Sequence, residues 1–322
     1  EKLNNRVADL DVATSENDIE QSIAQVYIQI LYAAESVKVN ENTLQVSEAQ
    51  RDRGKQLLDA GSIARSDYAQ LEAQVSTDRY QLVTAQATLQ DYKLQLKQLL
   101  ELDGEQEMQV YLPALGDENV LSPLPTKTDV FRSAVALRPE IEASKLSVEA
   151  SELGIGIAKS GYLPSVSLTA GIGTNHTSGS DFTFGEQVKN GWNNSIGLSI
   201  SVPIFNNRQT KSAVEKAKLQ YQTSQLTLLD EQKTLYKTIE GLWLDANSAQ
   251  QRYAAAIEKL HSTQTSYELV SEQFNAGMKN TVELLTEKNN LLQAQQELLQ
   301  SKYMAILNTQ LLKFYQGDKI TL

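Results

Sequence analysis

The amino-acid sequence contains two copies of one long segment, and this internal repeat constrains the fold more than any other feature. The copies align without a gap over about a hundred residues at an offset of 216 positions, as in Leu3 with Leu219, Leu10 with Leu226, Ile23 with Ile239, Leu44 with Leu260, Val75 with Leu291 and Leu96 with Leu312. That period is far too long for a solenoid. We therefore predict two equivalent halves that share one body and supply the same structural element to it.

Each copy is predicted to form an antiparallel helical hairpin. In residues 3–56 apolar side chains recur at helical spacing without a proline, which indicates one long helix. Gly61 suits the left-handed position after a helix, and we expect Ser66 to cap the returning helix. On that helix a coiled-coil seam repeats every seven residues at Val75, Leu82, Leu89 and Leu96. The predicted hairpin is roughly 75 Å long.

The segment between the copies changes character twice. Prolines favour an extended connector, and the shorter helix that follows is interrupted where Arg138 precedes Pro139. Thr128 or Asp129 is the expected cap of that helix. The predicted domains are a first helical hairpin at 1–104, a connector at 105–127, a helix at 128–162, a β-hairpin at 163–204 and a second helical hairpin at 205–322.

Two segments within 163–204 alternate aliphatic residues with small or hydroxylated ones, which predicts a pair of strands around a polar loop at 174–194. In a soluble sheet the hydroxylated face meets water. In a membrane barrel the aliphatic face meets lipid and the hydroxylated face lines an aqueous lumen. The strand pattern alone leaves both interpretations open.

Composition excludes several classes of function. A net charge of −11 argues against sequence-independent nucleic-acid binding, which requires a basic surface. The chain has no Cys, and its two His, His176 and His261, lie in different predicted elements, so we predict no metal site. Charged residues along the helices fit solvated faces. We therefore predict no catalytic residue, no cofactor and no enzymatic activity.

The turns of the two helical hairpins are equivalent in the repeat. Each is followed by an acidic residue at the same offset, Asp67 in the first copy and Glu283 in the second. One interpretation is that each acid caps a helix N-terminus. The other is that a symmetric assembly gathers both acids into an electronegative constriction. The two interpretations are compatible.

Several short motifs, each weak alone, form a specific combination: Arg138-Pro139-Glu140-Ile141, Leu163-Pro164-Ser165-Val166-Ser167-Leu168, Ser201-Val202-Pro203-Ile204-Phe205-Asn206-Asn207 and the two Ala-Gly turns. By these motifs essentially the whole chain resembles the outer-membrane efflux channel family of the TolC type. The resemblance implies a mainly α fold in which long antiparallel helical hairpins form the coiled-coil wall of an α-barrel. It also implies that the β-hairpin contributes to a trimeric transmembrane β-barrel.

The resemblance further implies a homotrimer in the outer membrane of a Gram-negative bacterium, in contact with outer-membrane lipid and with most of the chain in the periplasm. The expected partners are a periplasmic adaptor (membrane fusion) protein and an inner-membrane transporter of the RND or ABC type. The chain would be the passive exit duct of a tripartite efflux or type I secretion system. The alternative interpretation is a soluble periplasmic coiled-coil structural or adaptor protein.

The same resemblance assigns roles to three sets of residues. The gate would be formed by Asp67, Phe274, Lys279, Glu283 and Thr286. The adaptor would dock on the hairpin turns at Ala60, Gly61, Ser62, Ala276, Gly277 and Met278. The barrel lumen would be lined by Ser165, Ser167, Thr169, Ser195, Ser199 and Ser201. Residues 128–216 have no counterpart before the first copy, so we expect a longer precursor with another helix, another strand pair and a signal sequence.

Overall fold

The computed structural model describes residues 1–103, 108–113, 115–117, 120–179 and 181–320. Part of the predicted connector at 105–127 lies outside these ranges. Residues 104 and 322, at which the two predicted helical hairpins end, also lie outside them. Within them, no helix is both long and apolar enough to cross a lipid bilayer. Contacts divide the chain into a first unit, Glu1–Ala8 with Ala143–Asp230, and a second unit, Asp9–Glu142 with Glu231–Leu322.

Helices account for most of the described structure: α1 (Lys2–Asp59), α2 (Arg65–Leu99), α3 (Lys127–Leu137), α4 (Pro139–Ser160), α5 (Phe184–Asn190), α6 (Gln209–Asn275) and α7 (Thr281–Gln316). The strands are β1 (Ser165–Gly173) and β2 (Asn193–Ser201). The prediction of a mainly α fold built on long helical hairpins is confirmed. The long helices form because apolar residues recur at helical spacing in segments that contain no proline.

In the first unit β1 and β2 form an antiparallel sheet in which Ser165 lies opposite Ser201 and Gly173 lies opposite Asn193. The predicted strand pair is confirmed. The prediction of a loop throughout 174–194 is wrong, because α5 lies within it. This short helix begins where the Glu186 carboxylate accepts hydrogen bonds from the Thr183 N–H at 2.9 Å and hydroxyl at 2.8 Å. A Thr followed three residues later by Glu is a typical capping box, and the prediction overlooked it.

The core of the second unit surrounds α7. Its Tyr303 and Leu307 pack with Ile28 and Leu31 of α1. A neighbouring cluster joins α7 to α6 through Val120, Ala249, Tyr253 and Ala305, and a third cluster joins α2, α6 and α7 through Leu71, Phe274 and Leu284. Helix α7 is therefore buried on several sides, whereas α1, α2 and α6 each keep a large exposed surface.

The described part of the connector is held by side chains of α6 and α7. Lys302 Nζ donates to the Leu115 carbonyl at 2.7 Å, and Trp243 Nε1 donates to the Pro125 carbonyl at 3.0 Å. Gln250 Nε2 donates to the Val120 carbonyl at 2.9 Å. An extended segment outside a sheet has carbonyl groups that need donors, and these side chains supply them. The connector is thereby fixed to the two helices.

The break predicted at Arg138 is confirmed, because this residue separates α3 from α4. The predicted cap of α3 at Thr128 or Asp129 is wrong. Thr126 is the cap, and its hydroxyl oxygen accepts the Asp129 N–H at 3.2 Å. The Thr126 hydroxyl also donates to the Asp129 carboxylate at 2.6 Å, so the acid three residues beyond the cap stabilises this helix start.

Candidate functional site

The turns of the two helical hairpins have the same backbone geometry. Gly61 has φ 72° and Gly277 has φ 74°, both in the left-handed region that strains residues with a Cβ. The Ser62 N–H donates to the Leu57 carbonyl at 2.8 Å, and the equivalent bond from the Met278 N–H is also 2.8 Å. Both helices thus end in the same glycine-dependent turn. The sequence repeat is reproduced in the local structure.

The residues predicted to dock an adaptor lie at these turns and are exposed: Ala60, Gly61, Ser62, Ala276, Gly277 and Met278. Met278 is the large apolar residue of the set, and its side chain is 70% exposed. A flexible thioether on a polar turn is suited to contact an irregular partner surface. The two turns thus present small residues and one exposed apolar side chain.

Both predicted gate acids lie in the first turn of a helix. The Asp67 carboxylate accepts the Ala64 N–H at 3.2 Å, so α2 begins after Ala64 and the predicted cap at Ser66 is wrong. The Glu283 carboxylate accepts the Asn280 N–H at 3.2 Å, and the Asn280 side chain accepts the Glu283 N–H at 2.9 Å. Each acid therefore compensates the positive end of a helix dipole.

Lys279 distinguishes the second turn from the first. Its ammonium group donates to the Glu283 carboxylate one turn away in the same hairpin. The hydrogen bonds from Lys279 and from the Asn280 backbone hold the pKa of Glu283 below its ordinary value. Glu283 is therefore ionised at neutral pH, with its charge partly compensated by Lys279 in the turn that precedes its helix.

The two other predicted gate residues lie in different surroundings from the acids. Phe274 is 2% exposed and packs with Leu71 and Leu284 in the core of the second unit. Thr286 is exposed, and its hydroxyl donates to the Val282 carbonyl at 2.8 Å. The structure thus places Phe274 inside the packing of α2, α6 and α7, and it leaves the Thr286 hydroxyl hydrogen-bonded to its own helix.

The register of β1 and β2 places the predicted hydroxylated positions on one face: Ser165, Ser167, Thr169, Ser195, Ser199 and Ser201. The hydroxyl oxygens of Ser167 and Ser199 are 2.9 Å apart. The opposite face is aliphatic and exposed, with Ile196 84% and Leu168 73% accessible. A contiguous exposed apolar face on a two-stranded sheet marks a surface that something covers in the working protein.

A buried polar cluster in the second unit was missed by the sequence predictions. Lys288 of α7 donates to Asp78 of α2 and to Ser47 of α1, and all three side chains are nearly inaccessible. A signal for it exists, since Lys288 lies between Leu284 and Leu291 at the spacing of a helical seam. A single sequence does not show whether a lysine at such a position is buried or extends to solvent.

Metal-binding geometry is absent from the described ranges, where no group of three or more His, Cys, Asp or Glu side chains could hold an ion. His176 instead lies 3.1 Å from the Gln187 side-chain oxygen, through its Nδ1 atom, and packs edge-on against Phe184. These contacts order the segment around α5.

The arrangement defines a class of mainly helical proteins in which a strand pair is inserted between long helical hairpins. The sequence model for outer membrane efflux proteins matches residues 130–317. Outer membrane protein TolC of Escherichia coli is 25% identical over 94% of this chain and 62% of its own length. Alkaline protease secretion protein AprF of Pseudomonas aeruginosa is 23% identical over 92% of the chain and 60% of its own length. The chain thus spans about three fifths of these relatives.

The solved structures give the same result for the fold. The outer membrane protein VceC of Vibrio cholerae superposes with a TM-score of 0.80 at 18% identity, over 99% of this chain and 74% of VceC. The chain belongs to the outer membrane efflux protein family. This family consists of outer-membrane channel proteins and not of enzymes.

Proposed function

We propose that this chain forms part of the exit duct of a tripartite efflux or type I secretion system in the outer membrane of a Gram-negative bacterium. The duct is a passive conduit that an inner-membrane pump of the RND or ABC type supplies through a periplasmic adaptor. The observation that carries the proposal is the strand pair, whose exposed aliphatic face suits lipid and whose hydroxylated face suits an aqueous lumen.

The strand pair also supports a closed symmetric assembly, which we propose to be a homotrimer. A two-stranded sheet leaves an unpaired edge on each strand, and an isolated pair is marginally stable in water. In lipid every backbone N–H and C=O group requires an internal partner, so spanning strands must close into a barrel. Symmetric copies of the chain supply the missing neighbours. The barrel lumen is then lined by the hydroxylated face defined above.

The hairpin turns are the proposed adaptor-docking surface. Their equivalent geometry at Gly61 and Gly277 gives each chain two similar contact points. In a trimer these points form a ring of pseudo-equivalent turns, which matches a partner that binds several times around one axis. The relative AprF, whose name assigns it to protease secretion, supports the secretion form of the proposal.

The proposed gate lies beside these turns, where each chain contributes Asp67 and Glu283. Three copies of two carboxylates around one axis produce a negative potential that a single chain does not have. Opening is an outward movement of the helical hairpins when the adaptor engages. Lys279 compensates part of the charge of Glu283. Asp67 therefore supplies the larger share of the negative potential of this ring of carboxylates.

The test uses the full-length protein. Its mass in detergent and its ion conductance in planar bilayers are measured. A detergent-dependent trimer that forms ion-conducting pores is the expected result. A monomer or dimer that needs no detergent and conducts no ions would overturn the proposal and favour the soluble coiled-coil alternative.

A further inference from the structure

Three polar side chains occupy the core between α1, α2 and α7. Ser47 is 2% exposed, Asp78 is 2% exposed and Lys288 is 3% exposed. The Lys288 ammonium donates to the Asp78 carboxylate and to the Ser47 hydroxyl oxygen, and the Ser47 hydroxyl also contacts the same carboxylate. We call Ser47, Asp78 and Lys288 the Lys288 cluster. Its ion pair, between Lys288 and Asp78, joins the second helical hairpin to the first one.

The cluster occupies positions that apolar residues hold elsewhere on the same helices. On α7, Lys288 follows buried Leu284 by four residues and precedes buried Leu291 by three. On α2, Asp78 follows buried Leu71 by seven residues. Leucine or methionine at the two charged positions would continue the apolar packing on both sides. The charged pair is therefore a departure from the simplest way to fill this core.

The hydrogen-bonding capacity of the cluster is well used. Gln74 Nε2 donates to the second carboxylate oxygen of Asp78 at 2.9 Å. Gln50, three residues beyond Ser47 on α1, donates through Nε2 to the Tyr267 hydroxyl of α6 at 2.7 Å. The contacts of Lys288 are with Ser47 and Asp78. Burial lowers the pKa of Lys288, and its bond to Asp78 opposes that shift. The pair is stable while dry because each charge has a partner.

The consequence appears when α7 moves away from α1 and α2. Separating two apolar surfaces exposes them to water, which opposes the movement in proportion to their area. Separating a buried ion pair breaks the ionic contact, but water then solvates both charges and returns the desolvation free energy. The packed and the separated arrangement of α7 are therefore closer in free energy at this ion pair than they would be at an apolar contact. The two arrangements can exchange more readily as a result.

We infer that the Lys288 cluster is a latch that holds α7 against α1 and α2 while it is dry and releases it when water enters, and this inference rests on the proposed channel function. The nearby apolar cluster of Leu71, Phe274 and Leu284 keeps the hairpins aligned. The Lys288 cluster adds a contact that is directional and reversible. Its partner in the released state is water, and the latch requires no ligand.

The test compares three variants of the full-length, detergent-solubilised protein by hydrogen–deuterium exchange of the amides in residues 281–291. Replacing the pair by apolar residues of similar size, D78L/K288M, is expected to slow this exchange about tenfold and to lower the frequency of channel opening. K288M alone leaves the buried Asp78 carboxylate without its cation and is expected to speed the exchange about tenfold. D78K/K288D, which restores the pair in reverse, is expected to recover much of the wild-type rate.

The control is K259M/E297L, which removes an exposed ion pair of 2.8 Å between α6 and α7 and is expected to leave exchange in 281–291 unchanged. Exchange in D78L/K288M that equals or exceeds the wild-type rate would overturn the latch and leave a purely structural tie. If K288M fails to fold, the apolar double variant still decides the question. Slowed exchange in a protein that forms no pores would sustain the latch while overturning the proposed channel function.

Discussion

The guanidinium carbon of Arg138 lies 4.0 Å from the ring centroid of Tyr315, and the neighbouring Phe314 ring is 4.5 Å from the same carbon. Arg138 is 6% exposed and separates α3 from α4, so the stacked contact fixes that break to the end of α7. A planar cation on two aromatic rings combines cation–π attraction with a large apolar contact.

Arg138→Ala is therefore expected to lower the free energy of unfolding by about 2–3 kcal/mol. Arg138→Lys should recover only part of this loss, because an ammonium group lacks the planar stacking surface. Denaturant unfolding measures both. Arg132→Ala, at a side chain that is 77% exposed, is the control and should change stability by less than about 0.5 kcal/mol. Equal effects at the two arginines would contradict the stacking role.

Gly54 allows α1 and α2 to approach closely near the first turn. A Cβ atom at Gly54 would lie 2.2 Å from Leu71 Cδ1, and Leu71 is 1% exposed, so the leucine has little room to move. Gly54→Ala is expected to destabilise the protein by about 1–3 kcal/mol. In Gly241→Ala the new methyl meets nothing within 4 Å, so this helical control should be neutral or stabilising by up to about 1 kcal/mol. Thermal unfolding of both variants separates the cost of the contact with Leu71 at position 54 from the effect of alanine on helix propensity, which both variants share.

The glycines of the two turns have a different requirement, because space around them is open but their φ angles are positive. Gly61→Ala and Gly277→Ala should each destabilise the protein by about 1 kcal/mol. Gly61→Asn and Gly277→Asn should lose less stability, since asparagine tolerates the left-handed region. Urea unfolding of the four variants is the measurement. An alanine variant as stable as its asparagine counterpart would show that the turn can adopt another conformation.

The contact between Asp117 and Lys302 predicts a dependence of stability on pH. The hydrogen bond from Lys302 Nζ, with a separation of 2.8 Å, lowers the pKa of Asp117 below its ordinary value of 3.8, and the Tyr253 hydroxyl acts in the same direction. A depressed pKa in the folded state contributes stability above the unfolded pKa and loses it as pH falls through the folded one.

Asp117→Asn should therefore lower stability at pH 7, by less than about 1 kcal/mol because Asp117 is largely exposed, and should have a smaller effect below the folded pKa. Urea midpoints of wild type and variant between about pH 7 and about pH 2.5 give the difference. A gap between the two curves that stays constant over this range would argue against the ion pair as its source.

The proposed gate predicts an effect of charge that is separable from capping. The double variant Asp67→Asn with Glu283→Gln removes both charges, yet the new amide oxygens can still accept the capping hydrogen bonds and keep the helix starts. Weaker block of the full-length channel by multivalent cations and a higher single-channel conductance are expected. Asp91→Asn, an exposed acid on the same helix as Asp67, should leave both unchanged. Unchanged block in the double variant would remove the role of the acids in the gate.

The sequence predicted local elements well where the pattern is long and repeated. Of the four predicted heptad residues, Val75 and Leu96 are buried, whereas Leu82 and Leu89 are half-buried. The turn glycines Gly61 and Gly277 have the expected left-handed backbone. The strand pair was predicted because alternation over nine residues is incompatible with a helical face. The predicted caps of α2 and α3 were both wrong. The cap expected at Ser66 lies at Ala64, because a carboxylate three residues further on, at Asp67, stabilises the earlier start.

The amino-acid sequence by itself determined the helical hairpins, the turns between them and the alternating faces of the strands, because these depend on periodicity and on residues adjacent in the chain. Only the tertiary structure decided which polar side chains are buried. Lys288 and Asp78 are separated by 210 positions, and their ionic contact depends on how three helices pack. The same packing decided that Phe274 lies in the core, since burial is set by the neighbouring helices and not by the residue itself.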